Sequence, residues 1–164
     1  MLEIRRATAD DLPAITEIYN DAILKTVATF DTETKTIEDR RAWFEHHGAK
    51  YPVLVAVEDG VVKGWASLTA WSDRCAYAGT VENSVYVKEE YRCHGIGQKL
   101  LDTLIEEGRK AGFHTVIARI AETNDVNIRL HEKAGFKTIG VMEEVGVKFG
   151  KLLDVYMMQK IYRF

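Results

Sequence analysis

Proline is nearly absent from this chain. Two prolines, at positions 13 and 52, occur in 164 residues, and glycine is scattered rather than clustered. Nothing therefore reads as a linker, a low-complexity segment or a repeat. One continuous domain over residues 1–164 is expected, and a chain of this length buries roughly 70% of its unfolded surface, enough to fold without staples. Cysteine is as scarce: Cys75 and Cys93 are too few for a disulfide framework and lack C-x-x-C spacing, which suits a reducing, cytoplasmic setting. His94 beside Cys93, with Cys75 and His131 distant, has no zinc spacing, so no metal is expected, and a cysteine nucleophile has no support either. Basic charge is not in excess. With 22 basic against 25 acidic residues the net charge is -3, which gives no electrostatic reason to expect nucleic acid or an anionic membrane as partner. No apolar run approaches the roughly 18 residues of a membrane span, and the opening MLEIRRATADD lacks the apolar stretch of a signal peptide. A cytosolic enzyme or binding protein is the class that remains.

What is present is an alternation of strand and helix patterns. Residues 2–6 alternate like a strand, and Thr8 followed three residues later by Asp11 marks a helix start. Leu12, Ile15, Ile18, Tyr19 and Ala22 then recur at helical spacing. Thr36 can cap a second helix carrying Ile37, Trp43 and Phe44, which reaches about Gly48. Residues 53–57 and 61–70 flank Asp59-Gly60, a pair that supplies the positive φ angles of a tight hairpin turn. Residues 80–87, TVENSVYV, are β-branched and aromatic enough for a central strand. In the helix that follows, Ile96, Leu100, Leu101, Leu104, Ile105 and Gly108 share one face, with Lys99, Asp102, Glu106 and Lys110 opposite. A strand at 114–121, a helix at 124–134 closed by Gly135, and apolar strands around 136–147 and 152–160 complete the chain. The predicted fold class is α/β, a mixed, mostly antiparallel central sheet flanked by helices, in the order βααββββαβαββ give or take a strand.

The junction at 92–97, Arg-Cys-His-Gly-Ile-Gly, is the most informative. Between a strand and a helix, glycines let the backbone turn tightly and leave several N–H groups unpaired at the helix N-terminus, where the helix dipole also favours an anion. Arg92 adds a full charge, so a pyrophosphate fits; a plain glycine-rich turn fits the same residues. Gly97 is followed by Gln98-Lys99 and not by Gly-Lys-Ser/Thr, which argues against a nucleotide-hydrolysing P-loop. Leu100 stands where a dinucleotide fold needs its third glycine.

With R-x-x-G-x-G at 92–97 and N-x-x-N-x-x-L-H-E-K-A-G-F at 124–136, the chain resembles the GNAT superfamily of N-acetyltransferases. It is similar in particular to the phosphinothricin and methionine sulfoximine acetyltransferase branch, through W-x-x-R-x-A-Y at 71–77, T-V-E-x-S-V-Y-V at 80–87 and V-G-V-K-F-G at 145–150, a likeness that spans nearly the whole chain. The resemblance implies the acetyltransferase fold and acetyl-CoA as co-substrate. It implies that Val85, Tyr86 and Val87 hold acetyl-CoA, the backbone of Val85 and Val87 running alongside the pantetheine. Arg92, Cys93, His94, Gly95, Ile96, Gly97 and Gln98 would surround the pyrophosphate, and Asn124 and Asn127 would contribute from the last helix, Asn127 in place of a commoner serine. It also implies a small-molecule amine as acceptor and a homodimer with pockets near the interface.

Acetyl transfer to an amine needs a base, donors for the developing oxyanion, and a proton for the departing thiolate. Glu82 is an acid in an otherwise apolar strand, sharing a face with Ser84 and Tyr86; desolvation there would raise its pKa and make it a better base, whereas on a wetted face it would be an ordinary surface glutamate. The family pattern puts the general base at this position. His131 stands where many relatives carry the tyrosine thought to protonate the thiolate, in line with Asn124 and Asn127 on one helical stripe; a lone helical histidine is also commonly structural. Arg74 and Tyr77, with Phe30 as an apolar wall, are the acceptor residues that the resemblance implies. Arginine suits a carboxylate because its planar fork makes two parallel hydrogen bonds, although a loop arginine is often merely solvated. The expected activity is transfer from acetyl-CoA to the amine of a small amino-acid-like acceptor. Another amine (polyamine, antibiotic or protein N-terminus) and a non-catalytic acyl-CoA-binding regulator are the alternatives.

Overall fold

A computed structural model describes residues 1–121 and 125–163. Its centre is a seven-stranded sheet in the order β1-β2-β3-β4-β5-β7-β6, formed by β1 (Glu3–Arg6), β2 (Val53–Glu58), β3 (Val61–Ala70), β4 (Thr80–Val87), β5 (Thr115–Ala121), β6 (Lys137–Lys148) and β7 (Lys151–Ile161). All neighbours are antiparallel except β4 and β5, which run parallel. Among the described residues four α-helices flank it: α1 (Leu12–Lys25), α2 (Ile37–His47), α3 (Ile96–Lys110) and α4 (Asp125–Lys133). Three strands, not four, separate α2 from α3, because the stretch between β3 and β4 forms a single 3-10 turn, Cys75–Tyr77.

The strands alternate their side chains between two cores. Leu54, Ala56, Ala66, Leu68 and Val81 face α3, whose Ile96, Leu100, Leu101, Leu104 and Ile105 are buried as the helical period requires. Val53, Val55 and Trp65 face α1 through Ile15 and Ile18, with Trp43 and Phe44 of α2 packed alongside. Gly108 has no room for a side chain: a Cβ there would lie 2.6 Å from the Tyr162 hydroxyl and 2.8 Å from Leu68 Cδ1. Asp59 and Gly60 take φ of 53° and 74°, the primed turn expected of Asp-Gly; Phe149 and Gly150 repeat it at 53° and 74° between β6 and β7.

Thr36 caps α2, accepting from the Asp39 amide while the Asp39 carboxylate accepts from the Thr36 amide. The face of that helix differs from the expectation. Ile37 is exposed, and Arg40 is buried with its guanidinium carbon 3.7 Å from the Trp43 ring centroid and 4.6 Å from that of Tyr19. Stacking on aromatic faces lets a cation enter an apolar layer that its charge alone would forbid.

Candidate active site

β4 and β5 pair at only three positions, Thr80 with Thr115, Val81 with Val116 and Glu82 with Ile117, although β4 continues to Val87 and β5 to Ala121. Past Glu82 the two strands part. The gap between them is the floor of a cleft of about 1060 Å³, walled at one end by the start of α3 and α4 and at the other by the α1–α2 connection and by Met142 and Val145 of β6.

The α3 end is built for an anion. Cys93 and Gly95 turn the chain through φ of 67° and 82°, after which the first N–H groups of α3 point out of the helix end. Gly95 has open space where a side chain would stand, so an anion can approach its backbone. Arg92 bonds the Val87 carbonyl through Nε at 3.1 Å, which ties this loop to the end of β4. Arg92, Cys93, Gly95, Ile96, Gly97 and Gln98 all line the cleft. His94 does not line it; its Nδ1 lies 3.2 Å from the Tyr91 carbonyl. The space at Gly97 is limited by α4, since a Cβ would come within 3.0 Å of Leu130 Cδ1. Val85, Tyr86 and Val87 run along the floor and Asn127 faces it from α4; Asn124 lies outside the described residues.

At the point of divergence stands Glu82. Reading it as an acid desolvated in an apolar strand left out its partner, Arg119 of β5, which donates from Nε to Oε2 at 2.6 Å and from Nη2 to Oε1 at 2.8 Å. On the opposite face of β4, Asn83 meets His131, which is only 3% exposed. His131 Nδ1 is 2.8 Å from the Asn127 carbonyl and Nε2 is 2.9 Å from Asn83 Nδ2. A carbonyl only accepts, so the ring proton is on Nδ1, and Nε2 accepts from the Asn83 amide. Burial pushes the imidazole down to about 4, so it is neutral at physiological pH. Neither ring nitrogen holds a proton directed into the cleft.

The end of the cleft away from α3 joins distant segments. Phe30 lines it and lies against Gly146, where a Cβ would collide with the ring. Lys148, 5% exposed at the tip of the β6–β7 hairpin, donates from Nζ to the Thr29 carbonyl at 2.6 Å. Its burial lowers the ammonium pKa, opposed by Asp31 nearby. Tyr19 contacts Thr29 Oγ1 at 3.0 Å and donates to the Asp31 carboxylate; burial first, and then that bond, push its phenol up to about 12, so it keeps its proton. Arg74 and Tyr77 sit exposed at the turn after β3 and are not part of the cleft lining.

The chain matches the model of the acetyltransferase (GNAT) family over residues 12–136. It belongs to that family. It is 45% identical over 159 residues to an L-methionine sulfoximine/L-methionine sulfone acetyltransferase of Salmonella typhimurium, covering 96% of this chain and 93% of that one. With a phosphinothricin N-acetyltransferase of Streptomyces viridochromogenes the identity is 37%, over 97% of this chain and 87% of the other. Among solved structures, a Salmonella typhimurium protein with its cofactor acetyl-CoA superposes with a TM-score of 0.96 at 44% identity, over 98% of this chain and 94% of that chain. This GNAT protein is thus an N-acetyltransferase that uses acetyl-CoA. The volume of the cleft, the unpaired donors at the α3 end and Arg92 fit that co-substrate. Among the described residues no three His, Cys, Asp or Glu side chains form a cluster able to hold a metal ion, and no helix is long and apolar enough to cross a membrane.

Sequence reasoning missed Arg119, Asn83 and Lys148. Asn83 carried a weak signal, as an amide inside an apolar strand. Arg119 and Lys148 carried none, because an isolated basic residue in a strand ordinarily reads as solvated.

Proposed function

We propose that this GNAT protein acetylates the α-amine of a small amino acid of the methionine sulfoximine or phosphinothricin type, with Glu82 as general base. The observation that carries this reading is the carboxylate at the fork of β4 and β5, within the same cleft as the anion-binding end of α3. Glu82, directly or through a water, accepts a proton from the acceptor's ammonium, and the neutral amine attacks the thioester carbon. As the C–N bond forms and the C–S bond breaks, nitrogen loses its second proton. Of the two protons shed, one ends on the thiolate and the other passes to solvent.

In this reading Val85, Tyr86 and Val87 guide the pantetheine, Arg92, Cys93, Gly95, Ile96, Gly97, Gln98 and Asn127 hold the remainder, and Phe30 walls the acceptor. Arg74 and Tyr77, exposed on the turn after β3 and outside the cleft lining, are assigned to the outer part of the acceptor. His131 serves as a positioning residue, which fastens α4 to β4 through Asn83 on the side where β5 no longer pairs; this favours a proton donor other than the imidazole. The test is Glu82→Gln, which keeps the shape but cannot take the proton. Turnover near neutral pH is expected to fall by about 100-fold or more, with acetyl-CoA affinity from calorimetry within about twofold of wild type. A variant that keeps its turnover would remove Glu82 from this role.

The protein acts as a single catalytic domain, as a homodimer and in the cytoplasm. Ile139, Val141, Val145, Val147, Phe149 and Leu152 expose apolar surface along the β6–β7 hairpin, a pattern that calls for a covering partner. Cys75 and Cys93, unpaired and exposed, suit a reducing compartment. Val147→Glu is expected to convert a dimer to a monomer by light scattering; a monomeric wild type, or a dimer in the variant, rejects that interface.

A further inference from the structure

Arg119 is the cation at the heart of the cleft. It stands two residues beyond Ile117, the last β5 residue paired with β4, so it projects where the strands have just parted. Its side chain is 51% exposed against 19% for Glu82, and the guanidinium carbon lies 5.4 Å from the Trp71 ring centroid. A guanidinium carries five N–H donors in one plane, and Glu82 uses two of them. The same cation therefore has the capacity to meet a second anion arriving through the cleft. On its Arg119 side the pair is open to solvent, where ion pairs contribute little, so that cation changes partners cheaply.

We propose that Arg119 reads the acceptor's α-carboxylate, and that its pair with Glu82 is a resting state which the acceptor opens. A free amino acid is a zwitterion, and a zwitterion is the electrostatic complement of an ion pair. Its carboxylate takes the guanidinium, and its ammonium takes the carboxylate that the guanidinium had held. Because amine and carboxylate are carried on one carbon, fixing the second beside Arg119 fixes the first beside Glu82. No covalent bond changes in this exchange; Arg119 stays protonated and Glu82 trades the two N–H donors of Arg119 for those of the ammonium. An amine without a carboxylate brings a bare cation towards Arg119, is repelled, and leaves the pair closed. Selection of amino acids over simple amines then arises at the base itself. The part played by Glu82 rests on the reading of that residue as the base; the recognition of the carboxylate does not.

The test uses binding, so that it stands apart from the chemistry. Calorimetry with CoA present compares methionine sulfoximine and its decarboxylated analogue on wild type, Arg119→Gln, Arg119→Lys and Arg74→Ala. Arg119→Gln is expected to weaken the amino acid by about 10- to 100-fold and the analogue by less than about threefold, with Arg119→Lys between, because lysine keeps the charge but not the fork. Equal losses for both ligands, no loss for either, or the same contrast at Arg74→Ala and not at Arg119, overturns the proposal. Turnover of Glu82→Gln is read separately: if it survives while the Arg119 contrast holds, the base has been misassigned and the carboxylate site stands.

Discussion

The two ends of the cleft are made from different material. At the α3 end the working groups are backbone N–H donors, supplied by residues 92–98 in one unbroken turn. At the acceptor end they are side chains whose partners lie far along the chain: 37 residues from Glu82 to Arg119 and 119 from Thr29 to Lys148. The first end is fixed by local geometry and is shared by any acceptor that the enzyme serves. The second is assembled by sheet register and hairpin length, so under the proposed function substitutions there are expected to alter acceptor binding and leave acetyl-CoA binding in place. Between them, 48 residues apart, Asn83 and His131 clamp α4 to β4.

The largest effect expected from breaking that clamp is one of pH. His131 titrates at about 4 in the folded protein against an ordinary 6.5, so the unfolded chain binds the extra proton first. Its contribution is constant above pH 6.5, is lost progressively as pH falls from there to about 4, and is level below, for a total of about 3 kcal/mol. Chemical denaturation of wild type over this range is expected to show that slope, and His131→Gln, which has no such titration, to lose it. Transfer by His131→Gln is expected to stay within about tenfold of wild type with the alkaline limb of its pH profile in place. An unchanged stability slope removes the clamp, and loss of the alkaline limb restores the imidazole as proton donor.

A smaller effect separates the two ends directly. Lys148→Met keeps the length of the side chain but leaves the Thr29 carbonyl without its buried donor, at a cost of about 1–3 kcal/mol in stability. Steady-state kinetics are expected to show the acceptor KM rising by about three- to tenfold as Phe30 loses its fixed position, with the acetyl-CoA KM within about twofold. Equal changes in both constants would mean that the hairpin tip serves the whole cleft and that the two ends are not independent.

Much of the fold was legible in the sequence because the responsible interactions are short-ranged. The period of Ile96, Leu100, Leu101, Leu104 and Ile105 specified the buried face of α3, and Asp59-Gly60 specified its hairpin. The turn at 92–97 and the start of α3 were legible for the same reason. The strand count between α2 and α3, which the expected order left open by one, is three: residues 71–79 hold a turn and no strand. Burial of charge was also illegible. Arg40 enters the core because three aromatic rings surround it, and Lys148 is buried because a carbonyl from the α1–α2 connection awaits it. Both are decided by tertiary contacts, as is the exposure of β6, whose apolar residues read as core in a linear pattern but lie on an edge strand. At the site, Glu82 and its apolar strand were visible, whereas the guanidinium that holds it was not.

The early parting of β4 and β5 also bears on how the protein persists in a cell. Past Glu82 each strand turns a row of backbone groups towards the gap where a neighbouring strand would ordinarily run, so the sheet is split along its middle. In the proposed binding mode the pantetheine arm lies in that gap and takes the place of the missing strand. A ligand that binds only the folded chain stabilises it by about 2.7 kcal/mol at about a hundredfold excess over its dissociation constant. In that binding mode acetyl-CoA holds the sheet together as well as supplying the acetyl group, and thermal unfolding is expected to show a higher Tm in its presence.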